Sequence, residues 1–260
     1  MTSFSKPDAA SYKVLGVRVD AVQIPYVVSR MEEWISRRGS CRYIAVTDMH
    51  SLMHAQRAQN FKKILRDADL AVPDGFPLMW LGRRKGFPLR RRVYGPELME
   101  RFCEATAAIG YRHFFYGGAP GVAELLAARL AARFPGLQIA GMCCPPFRPL
   151  TSEEDRLEVR TINAARADVV WVGLGAPKQE RWMFEHCGRL NVPVLVGVGA
   201  AFDFLTGRIA QAPPWMRDHG LEWLFRLSRE PRRLGRRYLL YGPQFVALVL
   251  FEVLGLKKFS

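Results

Sequence analysis

The sequence predicts an α/β protein: a Rossmann-like, largely parallel sheet flanked by helices, followed by a helical C-terminal appendage. Three observations predict it. Short apolar runs rich in Val, Ile, Phe and Tyr alternate with amphipathic stretches of helical period. Five of those runs end in polar or glycine-rich turns. After about Gly207 the composition changes, with Pro213, Pro214, Trp215 and Trp223 preceding an Arg-rich run. Residues 1–206 therefore read as the α/β core and residues 207–260 as a basic amphipathic appendage.

Taken in order, the expected strands are 14–19, 43–46, 70–72, 113–116, 137–141, 169–172 and 194–198. Helical periodicity fills the gaps at 27–37, 51–66, 96–109, 122–134, 152–165 and 178–189. There is no internal repeat and no low-complexity tract. Ligands of open α/β sheets bind outside the carboxyl ends of the strands, so the turns there define the expected site. They are Thr47-Asp48-Met49-His50, Pro73-Asp74-Gly75, Gly117 to Gly121, Gly173 to Glu180 and Gly199 to Asp203.

The bulk properties restrict the partners. With 38 Lys+Arg against 24 Asp+Glu, the chain carries +14 and calls for an anionic partner. Nucleic acid fits poorly, because no aromatic RNA-binding strand or DNA-reading module accompanies the charge. The five cysteines show neither a paired nor a zinc-ligand spacing, which predicts reduced thiols. The first 13 residues, MTSFSKPDAASYK, are polar and show no apolar export signal. The most apolar stretch, Tyr238 to Leu256, is interrupted by Gly242-Pro243 and Glu252. That falls short of the roughly 20 apolar residues of a spanning helix and suits a segment lying in the membrane interface. Arginines from Arg226 to Arg237 lie among Leu and Tyr, a basic amphipathic pattern suited to anionic lipid, with Pro231 breaking it into two helices.

The turn after 169–172, VGLGAPKQE, sets Gly173 and Gly175 after a strand and Pro177 at the first turn of a helix. Glycine lets backbone amides approach an anion, and a helix N-terminus adds partial positive charge, so a diphosphate suits it. Gln179 is the candidate for reading a base or ribose edge, whereas Lys178 and Glu180 read equally as solvated. Gly117 and Gly118 open a second such junction, which reads equally as a plain turn. Asp74 is the candidate general base, its competing reading being a turn residue capping a helix from Phe76. Asp67-Ala68-Asp69 has the spacing of a metal-binding Asp-x-Asp, but lies where a helix ends and a strand begins, away from the glycine turns. No metal or other cofactor is expected. Of the histidines only His50 falls at a site edge.

Taken together these motifs resemble the WecG/TagA/CpsF glycosyltransferase family. The matching strings run in order from TDMHSLMHAQ through ADLAVPDGFPLMW, RRRVYGPELM, FFYGGAPG and DVVWVGLGAPKQERWM to GVGAAFDFLTGRIAQAPPWMRDHGLEWLFRLSREPRRLGRRY, covering roughly residues 40 to 240. The resemblance implies an inverting, metal-independent enzyme of bacterial cell-surface or exopolysaccharide synthesis. Its donor would be a UDP-sugar and its acceptor a glycan on a polyprenyl diphosphate. It makes Asp74 the base, places Thr47 and Arg92 beside donor or acceptor, and puts Gln179 on the nucleotide. Arg226, Arg233 and Arg236 match arginines that close over the diphosphate, and Asp203 matches a family position without an assigned role. Met49 departs from the pattern, since many members carry Asn there; His50 stands next door to replace its sugar contact. The implied location is the cytoplasmic face of the membrane, with peripheral attachment, and a partner subunit of a homo-oligomer could cover the appendage at rest.

Two other classes compete. A nucleotide-binding oxidoreductase predicts a GxGxxG followed one strand later by an acidic residue, and neither is present. A non-catalytic basic protein binding membrane or nucleic acid predicts that Asp74 is dispensable.

Overall fold

The computed structural model describes residues 9–259. Residues 1–8, most of the stretch read as lacking an export signal, lie outside them. The chain divides into two compact units. The first gathers three segments, that through Gln23, Thr47–Val93 and that from Ala210 onward; the second comprises Ile24–Val46 and Tyr94–Ile209.

In chain order the elements begin with β1 (Ser11–Val14), β2 (Val17–Asp20), α1 (Ile24–Arg37), β3 (Arg42–Thr47), α2 (Met49–Arg57) and α3 (Gln59–Asp67). Next come β4 (Leu70–Pro73), α4 (Phe76–Arg84), α5 (Gly95–Thr106), β5 (Arg112–Gly117), α6 (Val122–Arg133) and β6 (Gln138–Cys143). The core closes with α7 (Ser152–Ala165), β7 (Val169–Gly173), α8 (Lys178–His186), β8 (Val194–Gly197) and α9 (Ala201–Leu205). The tail holds α10 (Pro214–Asp218), α11 (Glu222–Arg229), α12 (Pro231–Gly235), a π-helical turn (Arg236–Leu240) and α13 (Tyr241–Val253).

In the second unit β3, β8, β7, β5 and β6 lie side by side in that order, all parallel. Helices on the faces explain why these strands read as continuous apolar runs: the four residues from Val169 to Val172 and the three from Val194 to Val196 are all buried. His113 sits fully inside, between Thr106 Oγ1 at 2.9 Å and the Trp171 indole N–H at 3.1 Å, and burial pushes its pKa down to about 3. It is a neutral core residue. Asp155 ties α7 to the end of α8 through His186 and Arg189.

In the first unit β1 and β2 form an antiparallel hairpin. The expected single strand 14–19 is thus two, because Leu15 and Gly16 both take positive φ (50° and 74°) and make a two-residue turn. Leu15 is wholly buried, which is why the run reads as unbroken apolar strand. The expected helix 51–66 is also two. Ala58 is extended (φ −137°, ψ 102°), and each half buries its own apolar set, Leu52, Met53 and Ala55 against Phe61, Ile64 and Leu65. No Gly or Pro marks that break. α4 starts at Phe76, where the competing reading of Asp74 put a helix, but with Gly75 as its N-cap; α9 had no counterpart among the expected helices, and the break at Pro231 falls between α11 and α12 as expected. α3 ends at Asp67 and β4 starts at Leu70, so the Asp-x-Asp spans the end of α3 and the bend before β4, and Asp74 follows the other end of that strand.

No helix among the described residues is long and apolar enough to cross a membrane. α13 has two faces: Tyr241, Phe245 and Val249 are buried at helical spacing, while Val246, Leu250 and Val253 are exposed. The buried face packs against α2. All five cysteines carry free thiols.

Candidate active site

The chain makes the Asp74 site from backbone ties. The four residues of β4 are buried, which fixes where the strand ends. There the Asp74 amide donates to the Thr47 carbonyl at 2.8 Å, and the Val93 amide donates to the Pro73 carbonyl at 2.8 Å. The second bond brings the chain preceding Val93 alongside, so Arg92 reaches Asp74, Nη1 to Oδ1 3.4 Å. Gly75 follows with φ 105°, a conformation that L side chains rarely adopt, and turns the chain into α4. Arg92 also donates, through Nη2, to Glu222 at the start of α11. One guanidinium therefore spans two carboxylates.

A second ion pair stands in the same unit. Asp48 caps α2, accepting from the Ser51 amide at 2.9 Å and hydroxyl at 3.1 Å, and it also accepts from Arg237. His50 stacks on Tyr241, with ring centroids 5.8 Å apart and planes 25° off parallel. The guanidinium of Arg57 lies 4.2 Å from the same Tyr241 ring. Nδ1 of His50 is buried with no hydrogen-bond partner among the described residues.

Burial pushes the Asp74 carboxyl up to about 7; Arg92 and Arg226 pull against that, and Glu222 and Asp48 add to it. Asp48 goes the other way. Burial resists its ionisation, but Arg237, the Ser51 hydrogen bonds and His50 outweigh that resistance. His50 is pushed down to about 4, first by burial and then by Arg237, so its imidazole is neutral at neutral pH. The site thus holds one carboxylate locked in its charged form and a second poised to exchange a proton.

The glycine turns of the second unit follow β5, β7 and β8 at one end of the parallel sheet. Gly118 N–H donates to the Gly173 carbonyl at 3.2 Å, and a Cβ on Gly117 would meet the Gly173 backbone at 2.8 Å. Gly117 is required because two strand ends touch, whereas Gly118 has φ 82° and a Cβ there would crowd Val122 at 3.2 Å. Gly175 differs: its φ is 75° and nothing lies within 4 Å of where a Cβ would be, so its backbone borders open space. Gln179 is buried, its Oε1 accepting from the Gly199 amide at 2.9 Å and its Nε2 donating to Glu180 at 3.0 Å. It braces the turn after β8 against the start of α8. Glu180 is fully buried, which corrects its reading as solvated; Lys178 is exposed, 5.9 Å from the Phe147 ring. Asp203 lies on α9, 3.9 Å from Arg208.

Of the residues singled out in the sequence, Thr47, His50, Asp74, Arg92 and Arg226 fall in the first unit and share the Asp74 neighbourhood or its flanking segments. Arg233 is exposed and paired with Glu230 at 2.6 Å, and Arg236 is exposed 5.9 Å from the Tyr241 ring. The sequence reading placed Asp48 in a site turn without giving it a role, and missed Glu222 and Arg237 as site residues. Their partners lie 130 and 189 positions away, and no local signal marked them: Glu222 shares the tail with Asp218, Glu230 and Glu252. Among the described residues no three or more His, Cys, Asp or Glu side chains gather as metal ligands would.

A parallel α/β sheet with glycine turns at its strand ends, and a recessed carboxylate flanked by arginines, are the equipment of a group-transfer enzyme. The glycosyl transferase WecG/TagA/CpsF family matches residues 12–259, and the chain belongs to that family: it is a glycosyltransferase. Among its relatives is the N-acetylglucosaminyldiphosphoundecaprenol N-acetyl-beta-D-mannosaminyltransferase of Bacillus spizizenii. The two are 29% identical over 223 residues, which cover 86% of this chain and 84% of the relative. The enzyme of the same name from Staphylococcus aureus strain MW2 is 26% identical over 238 residues, 91% of each chain.

Proposed function

We propose that the protein transfers an N-acetylhexosamine, N-acetylmannosamine being the first candidate, from a UDP-sugar to a polyprenyl-diphosphate-linked acceptor ending in N-acetylglucosamine. The names of the relatives support the sugar and the acceptor. Asp74 carries the reading, as a recessed carboxylate whose pKa of about 7 suits a general base. The acceptor hydroxyl attacks the anomeric carbon from the face opposite the leaving diphosphate. As the new C–O bond forms, its proton passes to Asp74 and the bond from the anomeric carbon to the diphosphate oxygen breaks, releasing UDP with inverted configuration.

Charge on the leaving diphosphate is met by arginine, whose planar fork suits phosphate oxygens. Arg92 and Arg226 stand nearest the base, and Arg233 and Arg236 are exposed on the tail for the same task. A divalent cation is not part of the scheme; the Asp-x-Asp between α3 and β4 supports this, since it precedes the strand whose other end bears Asp74. Thr47 and His50 contact donor or acceptor, with the His50 Nδ1 standing in where Met49 replaces Asn. Residues 207–260 act as the appendage, laying the exposed Val246, Leu250 and Val253 face of α13 into the cytoplasmic leaflet, where the acceptor's lipid resides.

The test is turnover of purified protein with a panel of UDP-sugars and polyprenyl-diphosphate-linked mono- to tetrasaccharides, with and without EDTA. Inverted product at undiminished rate in EDTA is expected. Retained anomeric configuration, or dependence on a divalent cation, would overturn the scheme.

A further inference from the structure

Glu222 lies in the tail segment, is only 8% exposed, and belongs to no step described so far. Its placement is built. Gly220, with φ 75°, packs so tightly on Phe76 that a Cβ there would stand 2.6 Å from the Phe76 ring. Phe76 begins α4, two residues beyond Asp74. The start of α11 is thereby pinned beside the base, and Glu222 is its first residue.

Arg92 holds the two carboxylates unequally. It donates a direct charge-assisted hydrogen bond to Glu222, while its contact with Asp74 Oδ1 is 3.4 Å, beyond the usual length of such bonds. A carboxylate closely paired with arginine has its pKa lowered by about 1–3 units and is a poor proton acceptor at neutral pH. We propose that Glu222 is a positioning residue for the transfer: by taking the closer hold on Arg92 it keeps that guanidinium from neutralising Asp74, and so keeps Asp74 a competent base. The inference rests on the reading of Asp74 as the base.

The charged and titratable groups facing Asp74 come from several segments of the first unit. Arg92 precedes Val93, Glu222 and Arg226 lie on α11, and Asp48 precedes α2. Arg237, Tyr238 and His50 stand around Asp48. Arg237 is engaged by Asp48, while Arg92 donates to both Asp74 and Glu222 and is therefore the cation that the two carboxylates share.

The experiment is the pH profile of kcat/KM for wild type, Glu222→Gln and Glu222→Asp, together with a ¹³C-carboxyl titration of Asp74 in each protein without substrate. In Glu222→Gln the acidic limb and the Asp74 titration are expected to move down together, by on the order of one pH unit. Glu222→Asp keeps the charge and is expected to restore most of the shift, which a merely structural role would not do. Coincident profiles and titrations for wild type and Glu222→Gln would overturn the proposal. If Glu222→Gln does not fold, the wild-type titration still decides, because an Asp74 carboxyl titrating in the ordinary carboxylate range overturns it too. If instead Asp74→Asn retains turnover, the base assignment fails, while the substrate-free titration still reads whether Glu222 governs Asp74.

Discussion

A carboxyl that titrates at about 7 responds to pH in two opposite ways, and both can be measured. As a general base Asp74 must be ionised, so kcat/KM is expected to rise with pH through about 7 and to fall tenfold per unit well below it. Stability runs the other way. The folded-state pKa exceeds the unfolded one, so the folded protein holds the proton more tightly. The stabilisation this gives is complete below the unfolded value and is lost as pH rises through about 7. Asp74→Asn is therefore expected to lower turnover by about 10²–10⁴-fold while donor binding measured by calorimetry survives. Its melting temperature should exceed wild type's by a few degrees at pH 8, with the gap closing towards pH 5; a variant equally destabilised at both would contradict the buried-base assignment. Such an opposition is expected where a fold keeps a reactive group at a cost to its own stability.

Elements make different demands on residues of one type, as the glycine turns show. Gly117→Ala would drive a Cβ to 2.8 Å from the Gly173 backbone, with no flexible side chain to give way. It is expected to cost about 1–3 kcal/mol in denaturant unfolding. Gly175→Ala meets open space and only the left-handed backbone penalty, about 1 kcal/mol. If the two variants proved equally stable, the backbone contact between the turns after β5 and β7 would be refuted. The ion pair at the N-terminus of α2 makes a third case. Arg237→Ala leaves Asp48 recessed and short of its cation, for an expected loss of about 1–3 kcal/mol after allowance for partial exposure. Strand and helix positions were legible in the sequence because apolar periodicity is local. The Leu15-Gly16 turn and the extended Ala58 were not, since a buried apolar turn residue and an unmarked helix break leave no trace in that period.

At the scale of the whole molecule the proposed function gives the basic tail two separable jobs. Leu250→Glu on the exposed face of α13 is expected to abolish co-sedimentation with phosphatidylglycerol vesicles while leaving the melting temperature unchanged. Phe245→Glu on the buried face should unfold the first unit instead. Equal vesicle binding by wild type and Leu250→Glu would remove α13 as the membrane contact. The sequence showed that the tail was basic and amphipathic. It did not show that Glu222 and Arg237 find Arg92 and Asp48, because pairing across 130 and 189 residues is decided by tertiary packing and leaves no mark on local spacing. That same long reach sets an order of events during synthesis. The first unit needs residues before Gln23, a middle segment and the segment from Ala210 onward, whereas every residue of the second unit has been made by Ile209. A ribosome that has just passed Ile209 therefore carries a nascent chain with the whole parallel sheet of the second unit and with Asp74 and Arg92. Neither Glu222 nor Arg237 has yet been joined to it, so Asp74 acquires its finished electrostatic surroundings only once synthesis has passed Arg237.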